Sequence, residues 1–391
     1  MPSQNIIYFD NAATSWPKPE ATFQAMERYL RQCGGNPGRS GHRLSLDAAR
    51  IILDAREAVA EIFGIKDSLQ VVFTKNATEA LNLATRGLLR PGDHVITSSM
   101  EHNSVMRPLR TLENQGVELT VLPCSSAGEL DPGDIAPALR PTTRAIYLTS
   151  ASNVTGTLQP LAEVGKIAHE QDLVFCVDAA QCAGSFPLNV EELGIDLLAF
   201  TGHKALYGPQ GTGGLYIGKG LEDRIQPLMT GGTGSRSEFE EQPDFMPDKF
   251  ESGTPNAVGL AGLEAGVRFV LERGVAQIRA QELHLMELLL DGLKAVPGIA
   301  LFGPESPSNR IAVISFAIQG LSPADIALAL DEEDNIMCRP GLHCAPAAHK
   351  TLGTFPVGTT RFSLGAFNTE EQIFTALEAV SRLAGQARRN I

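Results

Sequence analysis

Short apolar runs alternate with amphipathic stretches through the first two thirds of the chain. Runs such as Val174–Val177 are apolar at every position, which is typical of strands buried on both faces of a parallel sheet. Stretches such as Leu46–Phe63 space their apolar residues as a helix with one buried face does. The strands predicted in this way are Val71–Phe73, His94–Ser98, Glu118–Leu122, Ala145–Thr149, Val174–Val177, Leu197–Phe200 and Gly214–Ile217. The alternation predicts an α/β fold with right-handed crossovers.

The pattern changes after Gly220. Residues 229–256 are rich in Gly, Ser, Pro and acidic residues, so we expect a long loop there. The elements predicted beyond it are helices near 257–273 and 275–295, a strand at Ile311–Phe316, a helix near 323–332, a strand at Thr359–Ser363 and a helix at Thr369–Leu383. We therefore predict a large domain, residues 15–256, with a mostly parallel sheet flanked by helices, and a small α+β domain formed by residues 257–391 with 1–14.

Composition narrows the classes of protein. A chain of 391 residues is too long for a single hydrophobic core, so we expect two domains. Its content of 43% hydrophobic and 20% charged residues indicates a folded protein. The net charge of −13 gives no electrostatic reason to bind nucleic acid or an anionic membrane. No apolar run approaches the roughly 18 residues that span a bilayer, and the first residues do not resemble a secretory signal. The six cysteines form no Cys-x-x-Cys pair, which favours a reducing cytoplasm.

Polar and ionisable residues follow five of the predicted strands. The segments are Thr74–Glu79, Met100–Asn103, Ser152–Gly156, Asp178–Gln181 and Thr201–Lys204. In open α/β sheets, ligands bind outside the carboxyl ends of the strands. Since these segments would lie along one edge of one sheet, the sequence predicts a site there.

The residue types at this edge indicate pyridoxal phosphate. Lys204, beside a buried sheet, is suited to forming a Schiff base. Asp178 would need a cation to offset its burial, and a protonated pyridine nitrogen is one. Asn76 is a predicted helix cap, so the amides from Ala77 onward and the Thr78 hydroxyl could bind a phosphate. Each has a simpler interpretation alone, as a surface lysine or a helix cap, but together they fit this cofactor.

A histidine and a cysteine supply further chemistry. His102 could stack on a cofactor ring and move protons, or be a satisfied buried histidine. Cys344 lies next to His343 and five residues after Arg339, surroundings that favour a thiolate. A zinc site is the rival interpretation of Cys338, His343, Cys344 and His349, and we disfavour it because no second close pair completes a tetrahedral set. The other cysteines, Cys33, Cys124, Cys176 and Cys182, are predicted to be small buried apolar residues.

These segments, in this order and spacing, resemble the cysteine desulfurases, which are class V, fold-type I pyridoxal-phosphate enzymes. The resemblance covers nearly the whole chain and rests on Tyr8-Phe9-Asp10-Asn11-Ala12-Ala13-Thr14, Asn76-Ala77-Thr78-Glu79, Met100-Glu101-His102-Asn103, Asp178-Ala179-Ala180-Gln181, Thr201-Gly202-His203-Lys204 and Arg339-Pro340-Gly341-Leu342-His343-Cys344-Ala345. The short segment before Cys344 is similar to that of the Suf-type and selenocysteine lyase branch.

The resemblance implies a role for each matching residue. Lys204 would hold the cofactor covalently, Asp178 would pair with the pyridine nitrogen, Gln181 with the phenolic oxygen, and His102 would stack on the ring. Ala77, Thr78, Thr201 and His203 would hold the phosphate, and Thr254 would reach the phosphate of a partner subunit in a homodimer. Asn153 would contact the cofactor and, with Arg361, would bind the substrate carboxylate. Arg339 and His42 would be further substrate-binding residues, and Cys344 would take the sulfur as a persulfide.

The resemblance also implies a substrate and partners, and it leaves several alternatives open. The substrate would be L-cysteine or L-selenocysteine, and an acceptor protein would collect the sulfur. Selenocysteine lyase and cysteine sulfinate desulfinase activities could use the same pocket. A class V aminotransferase without sulfur chemistry would not need Cys344, and a non-catalytic binding protein on this fold would not need Lys204 and Asp178. The chain departs from the family at Leu342, where a histidine is usual, and in the acidic segment 238–241.

Overall fold

The computed structural model describes residues 6–38 and 40–389. Residues 1–5 and 390–391 of the predicted small domain and Arg39 of the large one lie outside the described residues. The strands are β1 (Ile7–Tyr8), β2 (Val71–Thr74), β3 (His94–Ser98), β4 (Glu118–Leu122), β5 (Thr143–Thr149), β6 (Val174–Asp178), β7 (Leu197–Thr201), β8 (Gly213–Ile217), β9 (Ile299–Phe302), β10 (Val313–Ile318), β11 (Ile336–Met337), β12 (Arg339–Gly341) and β13 (Thr359–Ser363). The helices are α1 (Glu20–Arg28), α2 (Arg43–Phe63), α3 (Ala77–Leu88), α4 (Asn103–Glu113), α5 (Ile135–Ala138), α6 (Leu161–Glu170), α7 (Ala257–Arg273), α8 (Val275–Lys294), α9 (Pro323–Asp334), α10 (Pro346–Thr351) and α11 (Glu370–Arg389).

The larger sheet has the strand order β2-β8-β7-β6-β5-β3-β4. β8 runs antiparallel to β2 and β7, and the other neighbouring pairs of this sheet are parallel. Along β6, Phe175 and Val177 pack into one core cluster while Val174 and Cys176 pack into another. The strand is therefore buried on both faces, which confirms the predicted mostly parallel α/β sheet.

A second, antiparallel sheet with the order β12-β13-β10-β9 lies in the C-terminal part, beside the β1–β11 pair. Its core contains Phe9, Phe316 and Phe362, whose rings pack edge to face at centroid distances of 5.3 Å and 4.9 Å. Apolar residues of α8, α9 and α11 complete this core. Phe9 is an N-terminal residue, so the chain start contributes to the C-terminal unit.

The strand predicted at Ile311–Phe316 lies two residues later, at Val313–Ile318, and β9, which precedes it in the same sheet, was not predicted. The N–H of Ile311 donates to the carbonyl of Gly156 at 2.9 Å. Because this hydrogen bond connects Ile311 to a loop of the larger sheet, the residue cannot belong to β10. An apolar run does not reveal which of two sheets its first residues join.

Helix α7 packs against α1 and α2, with Ala257 and Ala261 in a cluster with Tyr29 and Ala48. This packing favours a domain boundary near Gly274, where α7 ends. The division predicted at residue 256 stays a prediction.

Residues 229–256 contain no helix or strand, as the composition predicted. The end of this loop is nevertheless fixed: Glu251 Oε2 accepts from Arg56 Nη2 at 2.9 Å and Oε1 accepts from Phe73 N at 2.6 Å. The loop is thereby attached to β2. No helix among residues 6–38 and 40–389 is long and apolar enough to cross a membrane.

The prediction that four cysteines are buried is right for Cys176 and Cys182 and wrong for Cys33 and Cys124, which are half-buried. Cys33 ends the helical turn that extends α1, at the molecular surface. Cys124 follows β4, the edge strand of the larger sheet. Each packs partly against a core cluster, Cys33 beside Tyr29 and Cys124 beside Met100, and neither is fully enclosed.

Candidate active site

A cavity of about 210 Å³ lies at the carboxyl edge of the parallel strands. Segments from five strand ends and from the C-terminal unit meet there, because parallel strands present their carboxyl ends on one side. The predicted site residues that line it are Ala77, Thr78, His102, Asn153, Asp178, Gln181, Thr201, His203, Lys204, Arg339 and Arg361.

Lys204 lies three residues after β7, and its side chain is partly buried. Burial lowers the pKa of its ammonium to about 8, with the charge of Asp178 opposing that shift. Ser15 Oγ donates to the Lys204 carbonyl at 2.7 Å, and Lys18 Nζ donates to the His203 carbonyl at 2.7 Å. These two residues, which sequence reasoning missed, fix the backbone at the lysine. The only sequence feature that could have indicated them is their position just after the Tyr8–Thr14 motif.

Asp178 ends β6 and is only 4% exposed. Burial raises the pKa of its carboxyl, while the Ala180 amide, which donates to Oδ1 at 2.9 Å, and the charge of Lys204 lower it. The residues that follow form turns and no helix. The carboxylate therefore does not cap a helix, and it lines the cavity.

Glu101 is a fully buried carboxyl group that sequence reasoning did not assign. Its Oε1 accepts from Ser98 Oγ at 2.6 Å and from Thr149 N at 3.1 Å, which joins the ends of β3 and β5. Burial raises its pKa to about 8, so it is protonated at neutral pH. The only sequence feature that could have indicated this role is the position of Glu101 inside the Met100–Asn103 segment.

The start of α3 has the predicted cap. Asn76 Oδ1 accepts from Glu79 N at 2.9 Å, while Glu79 Oε2 accepts from Lys75 N at 2.7 Å instead of closing the box on Asn76. The amides of Ala77 and Thr78 have no carbonyl partner within the helix because they begin it. Both residues line the cavity, so these amides can donate to an anion bound there.

His102 caps α4, accepting from Ser104 N at 3.0 Å through Nδ1. Burial and the nearby charge of Lys204 lower its pKa to about 4. The ring is therefore neutral at pH 7, and since Nδ1 accepts, the proton is on Nε2. His203 Nδ1 is buried without a hydrogen-bond partner among the described residues.

Arg361, on β13, is fully buried beside the cavity. Nη2 donates to Asp10 Oδ1 at 2.6 Å and Nη1 to the Asn153 carbonyl at 2.9 Å, whereas Nε is buried with no partner among the described residues. Asn153 Nδ2 donates to the His343 carbonyl at 2.6 Å. The guanidinium thus retains an unused donor, and the Asn153 side chain also holds the neighbouring loop.

Cys344 is exposed, and its Sγ lies 3.5 Å from Arg339 Nη2. Both His343 and Cys344 have left-handed backbone, with φ of +50° and +58°. Both ring nitrogens of His343 have partners other than the thiol: Nε2 lies 3.0 Å from the Arg339 carbonyl and Nδ1 lies 3.3 Å from His349 Nε2. The expectation that His343 favours the thiolate is therefore wrong in its geometry, and Arg339 is the cation beside the sulfur.

Two other features concern alternatives to Cys344. Burial raises the pKa of Cys338 to about 12, which makes it a poor thiolate at neutral pH. Within residues 6–38 and 40–389, no group of three His, Cys, Asp or Glu side chains is arranged to hold a metal ion.

Three predicted residues, Cys344, His42 and Thr254, do not line this cavity in the single chain, although the neighbours of Cys344, Arg339 and His343, do. His42 is exposed and caps α2, accepting from Ser45 N at 3.2 Å. Thr254 is exposed and lines a separate cavity of about 400 Å³ with Lys75 and Met229.

The donor set of the main cavity fits pyridoxal phosphate. His203 Nδ1, which is buried without a partner among the described residues, and the first amides of α3 could pair with the phosphate of the cofactor. Lys204 and Asp178 line the same cavity. A lysine with a lowered pKa and a buried carboxylate complement an aldehyde and a pyridinium nitrogen. The residues therefore fit the group that sequence reasoning proposed.

The aminotransferase class-V family model matches residues 7–375. The chain belongs to this family. It is similar to a probable cysteine desulfurase of Methanothermobacter thermautotrophicus, with 37% identity over 97% of this chain and 95% of the relative. A solved cysteine desulfurase of Thermococcus onnurineus NA1 superposes with a TM-score of 0.92 at 35% identity, covering 98% of this chain and 95% of that one. The cysteine desulfurase CsdA of Escherichia coli gives a TM-score of 0.87 at 31% identity, covering 98% and 96%.

Proposed function

We propose that the protein is a pyridoxal-phosphate-dependent cysteine desulfurase that converts L-cysteine to L-alanine. The observation that carries this function is the exposed thiol of Cys344 on a loop whose neighbours, Arg339 and His343, line the cavity of Lys204 and Asp178. A class V aminotransferase without sulfur chemistry would need the lysine and the aspartate but not the thiol. Relatives named as cysteine desulfurases support the same choice.

The cofactor supplies an electron sink at the substrate's α-carbon when it is bound. Lys204 would hold it covalently, and Asp178 would keep its ring nitrogen protonated. Ala77, Thr78, Thr201 and His203 would bind its phosphate. Gln181, whose Nε2 donates to the Ala12 carbonyl at 3.2 Å, has a second amide hydrogen for the phenolic oxygen.

The substrate carboxylate has a ready partner in Arg361. Two of its nitrogens are held by Asp10 and Asn153, which fix the guanidinium plane. The unpartnered Nε is a buried donor, and such a group is costly unless it is paired. Binding a carboxylate there orients the substrate and satisfies Nε in the same step.

Sulfur transfer follows from the thiol of Cys344. Its Sγ forms a bond to the substrate sulfur as the carbon–sulfur bond breaks, and the electron pair of that bond stays with the substrate carbon. That carbon takes up a proton and the product leaves as alanine, while Cys344 retains the sulfur as a persulfide. His102, neutral with its proton on Nε2, lines the cavity and can donate a hydrogen bond from Nε2 to a reacting group there.

The finer classification belongs to the same proposal. Only four residues separate Arg339 from Cys344, and β12 and two left-handed residues occupy this short loop. Such a restrained thiol favours the Suf-type branch and a protein acceptor that collects the persulfide at the surface. L-selenocysteine and cysteine sulfinate remain candidate substrates because they present the same carboxylate and amine.

We propose that the enzyme is a homodimer that functions in the cytoplasm. Thr254 is exposed and lies apart from the main cavity, as a residue that reaches a partner's phosphate must. Light scattering that finds a fully active monomer would contradict the dimer.

Product analysis tests the function. Purified protein loaded with pyridoxal phosphate should form equimolar alanine and protein-bound sulfur from L-cysteine, and should release sulfide on adding a thiol reductant. Alanine formed without any sulfur on the protein, or amino transfer to a keto acid with no alanine, would overturn it.

A further inference from the structure

The loop that carries Cys344 has an unusual backbone. Its two consecutive residues, His343 and Cys344, are both left-handed, a conformation that side chains with a Cβ seldom adopt. Such a conformation persists only where the surroundings hold it. Two hydrogen bonds to the carbonyls of these residues help to hold the conformation: Asn103 N donates to the Cys344 carbonyl at 2.9 Å, and Asn153 Nδ2 donates to the His343 carbonyl at 2.6 Å.

The His343 side chain supplies the third restraint, and its protonation can be read from its partners. Nε2 lies 3.0 Å from the Arg339 carbonyl, which can only accept, so Nε2 carries a hydrogen. Burial lowers the pKa of His343 to about 3, so the ring is neutral. Its Nδ1 is therefore an acceptor, and it needs a donor because the residue is only 2% exposed.

His349 provides that donor. It lies on α10, is fully buried, and places Nε2 3.3 Å from His343 Nδ1. With Nε2 donating and the ring neutral, its Nδ1 must accept, and Thr354 Oγ1 lies 2.7 Å away. The hydrogen bonds therefore run in one direction, from Thr354 through His349 and His343 to the Arg339 carbonyl.

We propose that His349 is a positioning residue that, with Thr354, fixes the tautomer of His343 and thereby the left-handed loop that presents Cys344. Arg339 connects this histidine to the thiol, because its carbonyl accepts the hydrogen bond from His343 and its Nη2 lies 3.5 Å from Cys344 Sγ. Without a donor at position 349, His343 could keep its hydrogen bond to the Arg339 carbonyl only with Nδ1 left buried and unpaired. The role in sulfur transfer rests on the proposed function, whereas the effect on the thiol does not.

Two pairs of variants separate a donor from a space-filling residue. His349→Gln can retain an N–H near the position of Nε2, and His349→Leu fills similar space without a donor. Thr354→Ser retains the hydroxyl, and Thr354→Val removes it. The first reading is the alkylation rate of Cys344 by iodoacetamide in cofactor-free protein, quantified by mass spectrometry with Cys33 in the same sample as an internal reference.

We expect His349→Leu and Thr354→Val to change the Cys344 rate by about fivefold to tenfold, the ratio expected for one hydrogen bond. The Gln and Ser variants should stay within about twofold of the wild type, and Cys33 should not respond. In the loaded enzyme, the rate of cysteine-dependent alanine formation should fall in the same two variants, with the absorbance of the lysine-bound cofactor unchanged. If His349→Leu does not fold, the Thr354 pair alone decides.

Equal reactivity within each pair, whether both members match the wild type or both are impaired, would overturn the proposal. If no variant or wild-type protein forms a persulfide but the alkylation rates separate as expected, the proposed function fails and the positioning role stands.

Discussion

The two regions that must meet for sulfur transfer are built in opposite ways. The lysine edge, residues 174–204, consists of strands buried on both faces, and Lys204 is fixed by hydrogen bonds to its own backbone and to that of His203. The cysteine loop, residues 339–344, is a short segment that ends in two left-handed residues, the buried His343 and the exposed Cys344. It is held by the side chains of Asn153 and His349 and by the backbone amide of Asn103. A covalent anchor benefits from rigidity, whereas a sulfur carrier must reach both the substrate and an outside acceptor.

The largest effect is expected from removing the lysine of the lysine edge. Lys204→Ala should abolish the visible absorbance of the lysine-bound cofactor and lower desulfuration by about 10⁴-fold or more, as removal of a covalent catalyst does in other enzymes. Absorption spectra after reconstitution and alanine analysis measure both. A wild-type protein that stays colourless with pyridoxal phosphate would refute the assignment of this residue.

Breaking the cysteine loop should separate the two regions. Cys344→Ala should lower cysteine desulfuration by about 10³-fold, because only a thiolate is a strong nucleophile near neutral pH, while the cofactor absorbance stays. Much of any selenocysteine lyase activity should remain, since selenium can leave without such attack. Cys338→Ala is the matched control and should be active.

The position of the transferred sulfur tests the same loop. Mass spectrometry of wild-type protein treated with cysteine should find the added sulfur on the peptide position of Cys344. Sulfur on Cys338 instead, or normal desulfuration by Cys344→Ala, would show that the wrong thiol is assigned.

A smaller effect is expected where the edge loses a charge but keeps its shape. Asp178→Asn should lower turnover by about 10²-fold, the low end of the scale for acid–base groups, and retain the cofactor through Lys204 and the phosphate contacts. Turnover and cofactor content per chain are the two readings. Unchanged turnover would remove Asp178 from the site.

The smallest expected effect is a shift in the pH dependence of cofactor uptake, which tests the burial of Lys204 in the lysine edge. The pKa of Lys204 is lowered to about 8, and a neutral amine is needed to react with an aldehyde. The rate of cofactor uptake by cofactor-free protein should therefore rise with pH below about 8 and level off above it. Asp178→Asn should move this midpoint to lower pH, because the aspartate charge raises the lysine pKa. A midpoint near 10 in the wild type would contradict the burial argument.

Much of the lysine edge could be predicted from the sequence. Continuous apolar runs identified β6 and β7 to within one residue, because a strand buried on both faces is apolar along nearly its whole length. Parallel strands then bring their carboxyl ends together, so the residues after them could be assigned to one cavity without coordinates. Resemblance to a family added the roles but not the geometry.

Tertiary structure alone decided the cysteine loop and the arginine. Nothing local indicates that His343 and Cys344 adopt left-handed backbone or that the histidine ring is directed to His349 and not to the thiol. Arg361 is oriented by Asp10, 351 positions away in the chain. Apolar periodicity reports burial along one element, whereas the direction of a polar side chain depends on partners from distant segments. The sequence by itself therefore determined which residues surround the cavity, and the packing of the two units determined which of their atoms are paired and which donors remain free.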